Sequence, residues 1–361
     1  MCRLAIVRTV QLNELRQQVG DRVAMLRELP LWGRDTPWFE LWVGAFAASA
    51  AALAFGIFWW IGWAPLGEPN HCIETGKCYC EAFDGGVEAV RAGLPGVRQW
   101  ANTWSNLVPI VTGLLLALCC AWDRAGNRLA RSTQELTWGH YYPVIFMLII
   151  GFMGPGSMFF HASITHTGGL IDNLSMLFFV WFLLAYGVFV RTEGTPEDHQ
   201  DARFWRLVKG RAVHHGRYGR FAAIFFGGVG VSMLLLWAGL YRSGWGLVLI
   251  LPVAVFPVVE GYRMWKGSRA VGQEPLSMTT FWRSQKTAWF FAGGVVSFAV
   301  AMLTWFTGHQ AGEGLCDPTS RFQWHALWHV LANLTAALLF LHFRGVELGY
   351  DPPAPTENER A

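Results

Sequence analysis

The sequence predicts an all-α integral membrane protein, and three observations carry that expectation: an apolar composition, apolar runs of spanning length, and cations sorted to alternate loops. Of 361 residues, 53% are hydrophobic and 15% charged, with 20 tryptophans; a soluble core of that make-up would be hard to cover with polar surface. The apolar residues fall in runs of about 20, the helix length that crosses roughly 30 Å of hydrocarbon. Eight such runs lie near residues 39–63, 105–122, 142–163, 170–190, 221–240, 245–262, 287–306 and 324–343. Barrel strands would alternate and run only about 10 residues. The whole chain reads as one membrane domain without internal repeats.

Residues 1–37 form a leader in which Leu12, Leu15, Val19, Val23 and Leu26 fall at helical spacing, with Leu4 on the same face. An interfacial amphipathic helix and a soluble helix packed on the loops both fit that pattern. The first run, within 38–64, follows a long charged segment and reads as a signal anchor that stays, not a cleaved signal peptide. Residues 65–103 make a long loop, 104–344 hold the remaining spans, and 345–361, with Pro352, Pro353 and Pro355, have the composition of a disordered tail. Arg124, Arg128 and Arg131 share one loop, Arg203, Arg206, Lys209, Arg211, Arg217 and Arg220 another, and Arg263, Lys266, Arg269, Arg283 and Lys286 a third. All three are on one side, which the positive-inside rule makes cytoplasmic, together with both termini. The net charge of +3 selects no protein partner, and no nucleic-acid partner is expected.

The opposite loops carry Cys72, Cys78 and Cys80 after the first span and Cys316 before the last. An oxidising compartment favours disulfides there. Cys80–Cys316 with Cys72–Cys78 as a second bridge is one reading, and a zinc knuckle, whose spacing fits less well, is the other. Cys119 and Cys120, inside a span, read as packing residues.

Ionisable groups at membrane depth are expensive, so each is a functional candidate. Ser157 and His161 are i and i+4 on one helix face, and His325 and His329 repeat that geometry with two imidazoles. Asp172 opens the fourth span after a short turn containing Gly168 and Gly169. Two histidines at i and i+4 can hold one metal from a single helix, but the zincin motif puts a glutamate after the first, where this chain has Ala326. Topology brings the end of the third span and the beginnings of the fourth and last to one membrane level. His161 is thereby the third ligand candidate, Asp172 the candidate base, and three imidazoles with an open position suit a catalytic zinc.

Bland readings stand beside these. His161 alone could be a core histidine, and the His325/His329 pair could be structural or bind haem, although haem prefers axial ligands on facing helices. Ser157 beside Gly154 and Gly156 could serve packing, and Asp172 could be an N-cap. Trp59, Trp60, Trp63, Trp324 and Trp328 suit the interfacial belt.

Ser157-x-x-x-His161, Asp172 with Met176, and His325-x-x-x-His329, joined by Cys80-Glu81 and Asn102-Thr-Trp-Ser105-Asn106, resemble the signature of the alkaline ceramidases. These belong to a superfamily of membrane hydrolases that also contains the adiponectin and progestin receptors, and the similarity covers roughly residues 80–343. The resemblance implies a seven-helix bundle, here preceded by one extra N-terminal transmembrane helix. It implies zinc on His161, His325 and His329, water activated beside Asp172, Ser157 near the developing oxyanion, and a Cys80–Cys316 bridge. It also implies a calcium site near Glu81, but Phe83 stands where the pattern has Asn and Gln99 where it has Glu, leaving Asp84 and Glu88 as substitutes. The expected activity is zinc-dependent hydrolysis of the amide of a ceramide-like lipid to a long-chain base and a fatty acid. A receptor-like or scaffold protein with a structural zinc is the alternative, and a haem-bearing electron carrier a third.

Overall fold

The computed structural model describes residues 38–75, 78–125, 141–190, 215–237, 252–262, 264, 287–309 and 315–347. Among these there is no strand; Pro69 and Thr165 form an isolated bridge. The helices in order are α1 (Phe39–Ile61), α2 (Cys72–Thr75), α3 (Gly86–Arg91), α4 (Trp100–Trp104), α5 (Leu107–Ala125), α6 (Tyr141–Ser163), α7 (His166–Leu184), α8 (His215–Trp237), α9 (residues 252–262), α10 (Ala288–His309) and α11 (Trp324–Glu347). In hydrocarbon every backbone N–H and C=O must be satisfied within its own segment, which helices do and isolated strands cannot.

Among the described residues six stretches are long and apolar enough to span a membrane: Leu41–Ile61, Trp100–Trp122, Val144–Ser163, His166–Gly187, Ala288–Gly308 and Trp324–Arg344. The chain is a multi-pass helical membrane protein. Of the other two expected spans, α8 carries a shorter apolar stretch, Phe221–Trp237, and only 252–262 of the next run falls within the described residues. The leader at 1–37, the three cation-bearing loops in large part, and the tail beyond 347 lie outside them.

Lipid is as apolar as leucine, so helices associate here through close packing and polar contacts more than through the hydrophobic effect. The core fits that rule. Phe146 of α6 stacks on Phe340 of α11 at 5.8 Å, and Phe182 of α7 meets Phe221 of α8 edge-on at 5.5 Å. The first helix lies at the periphery, with Phe46, Leu53 and Trp60 exposed, and is attached at its end by an aromatic cluster. Phe55 there meets Trp63, Trp104 and Phe159 at 5.6, 6.0 and 5.8 Å, and the Trp63 indole donates to Gly96 O at 2.6 Å. Trp63 is thus buried, not an interfacial anchor, and Trp328 is buried as well; Trp60 keeps the exposure the belt reading requires.

One buried pair was not singled out from the sequence. At the far end of the bundle His342 Nε2 lies 2.7 Å from Glu260 Oε1, while His342 Nδ1 lies 3.0 Å from Thr287 O. Both side chains are buried, and the contact ties α9 to α11.

Candidate metal centre

The site forms where helices come together at one end of the bundle. α6 ends at Ser163 and α7 starts at His166, joined through Ile164 and Thr165. Ile164 turns the chain with φ 51°, a conformation costly for a β-branched residue, and its side chain is wholly buried. Thr165 caps α7 by accepting from Gly168 N at 3.1 Å. Two expectations are corrected here: Gly168 and Gly169 belong to the first helical turn, not to a loop, and Asp172 lies nearly two turns inside α7, so it is not the N-cap. The glycines are there for contact: a Cβ on Gly168 would come within 3.0 Å of Phe160 Cα.

Other close approaches bring in the remaining elements. A Cβ on Gly154 would meet Asn106 O at 2.6 Å, so glycine lets α6 press against the break between α4 and α5. A Cβ on Gly308 would meet His325 N at 2.9 Å, fixing the start of α11 against the end of α10.

His161, His325 and His329 come together, each buried, with one ligand atom from each lying within 4.8 Å of the others. His161 Nε2 and His325 Nε2 are 3.1 Å apart. The surrounding hydrogen bonds set which nitrogens face inward. Gln99 Nε2 donates to Glu81 O at 3.0 Å, so Gln99 Oε1 accepts from His161 Nδ1–H at 2.7 Å and His161 Nε2 keeps its lone pair. Ser105 gives its proton to Asn102 O at 3.0 Å, so it accepts from His329 Nδ1 at 2.7 Å, with Asn106 Nδ2 3.1 Å away. His329 Nε2 then also faces the centre with a lone pair. Lone pairs converging in a buried space repel unless a cation lies among them, and neutral imidazoles backed by outer hydrogen bonds are how proteins hold transition metals. The donor set therefore fits a metal ion.

Beside the histidines lies a small cavity with about 20 Å³ of water-centre space, enough for about one water. Ser157, Asp172, His325, His329, Tyr79 and Trp305 line it. Ser157 Oγ lies 3.3 Å from His329 Nε2 and donates to the Asp172 side chain, so the hydroxyl sits between the histidine cluster and the carboxyl group.

The loop over this end is tied down by the Cys72–Cys78 and Cys80–Cys316 disulfides. The zinc-knuckle reading of these cysteines falls with those bonds. Glu81 accepts from Ala101 N at 2.6 Å and Asn102 N at 2.9 Å; burial pushes its carboxyl above the usual range, against the pull of these N–H groups. The Arg98 guanidinium donates to Asp84 O at 2.6 Å and to Pro95 O and Leu94 O. Burial holds its pKa below the ordinary value while the Asp84 charge opposes that shift. These residues do not fit calcium. Both Glu81 oxygens face backbone donors, Asp84 is exposed, Glu88 pairs with Arg91, and a fixed cation already gathers the neighbouring carbonyls.

Sequence reasoning missed Gln99 as the partner of His161, and Ser105 as the partner of His329. The cluster of polar residues at the start of an otherwise apolar run, Gln99 to Asn106, was the available signal. Replacing Gln99 by leucine frees the His161 ring; metal affinity is expected to fall about 10- to 100-fold, read by competition with a chelating indicator. Unchanged affinity would remove Gln99 from this role.

Spanning helices packed round a buried three-histidine cluster, with room beside it for a reacting group, define a multi-pass membrane protein with a potential metal centre. A family model described as Ceramidase matches residues 95–360, most of the chain, and the protein belongs to the ceramidase family. Membership implies a membrane hydrolase acting on amides. No curated protein and no solved structure gives a match.

Proposed function

We propose that the protein is a zinc-dependent membrane amidohydrolase that cleaves the N-acyl bond of a ceramide or ceramide-like lipid into a long-chain base and a free fatty acid. The observation that carries this reading is the convergence of His161, His325 and His329 beside a cavity that Ser157 and Asp172 also line. Three imidazoles would hold the ion, and three nitrogen ligands with an open position favour zinc over calcium or magnesium. Bound there, zinc supplies Lewis-acid polarisation of the amide carbonyl and lowers the pKa of a water molecule toward about 7.

The chain's own residues supply the rest. The Asp172 carboxylate takes the proton from the attacking water and passes it to the leaving nitrogen. Once Asp172 holds that proton it no longer needs the Ser157 hydrogen bond, and the Ser157 hydroxyl turns to donate to the tetrahedral oxyanion, worth about 3 kcal/mol for a well-placed donor. Gln99 and Ser105 hold two of the imidazole rings in plane. The acyl chain has a suitable bed. An apolar cleft between α7, α9, α10 and α11 is lined by Val180, Leu183, Phe256, Phe298, Thr335 and Leu339. It begins about one turn deeper along α7 and α11 than Met176 and Ala332 of the site cavity.

Disulfides at the site's end support reading that end as extracytoplasmic and the outer ends of α1 and α11 as cytoplasmic. A scaffold with a structural zinc would need neither Asp172 nor Ser157 beside the cluster. Purified protein incubated with a panel of N-acyl lipids should release free fatty acid from the ceramide-like members, with the rate abolished by a zinc chelator and indifferent to EGTA at concentrations that spare zinc. No release from any member, with zinc bound stoichiometrically, would overturn the hydrolase reading in favour of the scaffold.

A further inference from the structure

Tyr79 belongs to none of the spanning helices, and the mechanism above does not use it. Its two chain neighbours are both cross-linked: Cys78 to Cys72, and Cys80 to Cys316 in the connection before α11. Cys80 N also donates to Gly308 O at 3.0 Å, fastening the same stretch to the end of α10. A residue bonded down on either side has few conformations left to lose when it meets a ligand, which is what preorganisation means energetically.

The side chain reaches the histidine cluster. Its ring stacks on the His325 imidazole with centroids 3.5 Å apart and planes 24° from parallel, and lies 5.0 Å from the His161 ring. Tyr79 also lines the cavity with Ser157 and Asp172. The Trp305 side chain hydrogen-bonds the phenol, which is close enough to Asp172 to feel its charge. A phenol can donate as well as accept, so a Tyr79 side chain lining this cavity offers a group able to hydrogen-bond a ligand hydroxyl there.

We propose that Tyr79 is a specificity-determining residue: its hydroxyl donates a hydrogen bond to a hydroxyl-bearing polar head of the N-acyl lipid beside Asp172, and the two flanking disulfides hold it in place. The proposal rests on the hydrolase reading for its substrate. A site built to hydrogen-bond a substrate hydroxyl discriminates strongly against the analogue that lacks it, because the protein's polar group is then left without its partner. The disulfides make that discrimination depend on an oxidising compartment.

The test compares wild type with Tyr79→Phe, which removes one oxygen and keeps the stacked ring. Each is assayed on a pair of N-acyl lipids that differ only in a head-group hydroxyl. Wild type should prefer the hydroxylated lipid by roughly 10- to 100-fold in kcat/KM, and Tyr79→Phe should lose most of that preference with its metal content unchanged. Binding of a non-hydrolysable amide pair to the full-length protein should show the same loss; this readout stands even if no lipid is turned over, so the hydrolase reading and the role of Tyr79 fail separately. Equal discrimination in both proteins would overturn the assignment. Mild reduction of wild type, with opening of both bonds verified by mass, should reproduce the Tyr79→Phe preference and add nothing to the variant. Opened bonds with undiminished preference would refute the clamp.

Discussion

Replacing Asp172 by asparagine should lower kcat by about 10²- to 10⁴-fold while zinc stays bound at wild-type stoichiometry. The two side chains have nearly the same shape, and the Asn Oδ1 still accepts the hydrogen bond from Ser157, so the packing of α6 against α7 is preserved. What disappears is the acceptor for a proton. Asp172 is the acidic residue that lines the cavity beside the histidines, and the other carboxylates buried among the described residues, Glu81 and Glu260, sit under the loop and at the far end of the bundle. Among the described residues no other acid lines that cavity. Fatty-acid release and metal content measured on one preparation decide the matter: an unimpaired variant removes Asp172 from catalysis, and one that loses its metal makes the residue a support of the metal site.

His325→Ala should take metal content from about one ion per chain to near none and bring turnover to background. Two imidazoles cannot hold zinc as three do, and the histidines remaining would face each other across a gap in the cluster. Alanine is the best helix former, so the start of α11 should persist. The Cys80–Cys316 bond and the contact of Gly308 with that turn would also remain. His325→Ala gives up the ring stack on Tyr79, whereas loss of His329 would disturb Ser105, Asn106 and Ser157 together. Metal analysis before and after loading with zinc is the measurement. A variant that still carries one tightly bound ion would show that His325 is not its ligand.

The features legible in the sequence were those governed by local periodicity. Span-length apolar runs announce membrane helices because hydrocarbon leaves the backbone few alternatives, and His325 with His329 share a face because 3.6 residues make a turn. His161 could be added because antiparallel connectivity returns the chain to the same level. Features set by close approach were not legible. Gly168 and Gly169 look like turn residues, yet they serve as contact points within α7, so the start of that helix was set too late. Trp63 has the composition of an interfacial anchor but lies in an aromatic cluster whose members come from three parts of the chain. Glu260 and His342 are 82 residues apart and reveal nothing until their helices are paired. Gln99 read as a defect in a calcium motif, whereas the fold uses its amide to connect Glu81 with His161.

The joint at Ile164 and Thr165 gives the chain length there a meaning of its own. An α-helix advances about 100° per residue, so one residue inserted into α7 between the Thr165 cap and Asp172 would turn Asp172 by that angle relative to the joint and swing it out of line with Ser157. The same insertion between α7 and α8, whose facing ends lie away from the histidines, would leave that alignment untouched. Indel tolerance is therefore uneven along the chain: the count of residues from the Thr165 cap to Asp172 is fixed, whereas the count between α7 and α8 is free of that constraint.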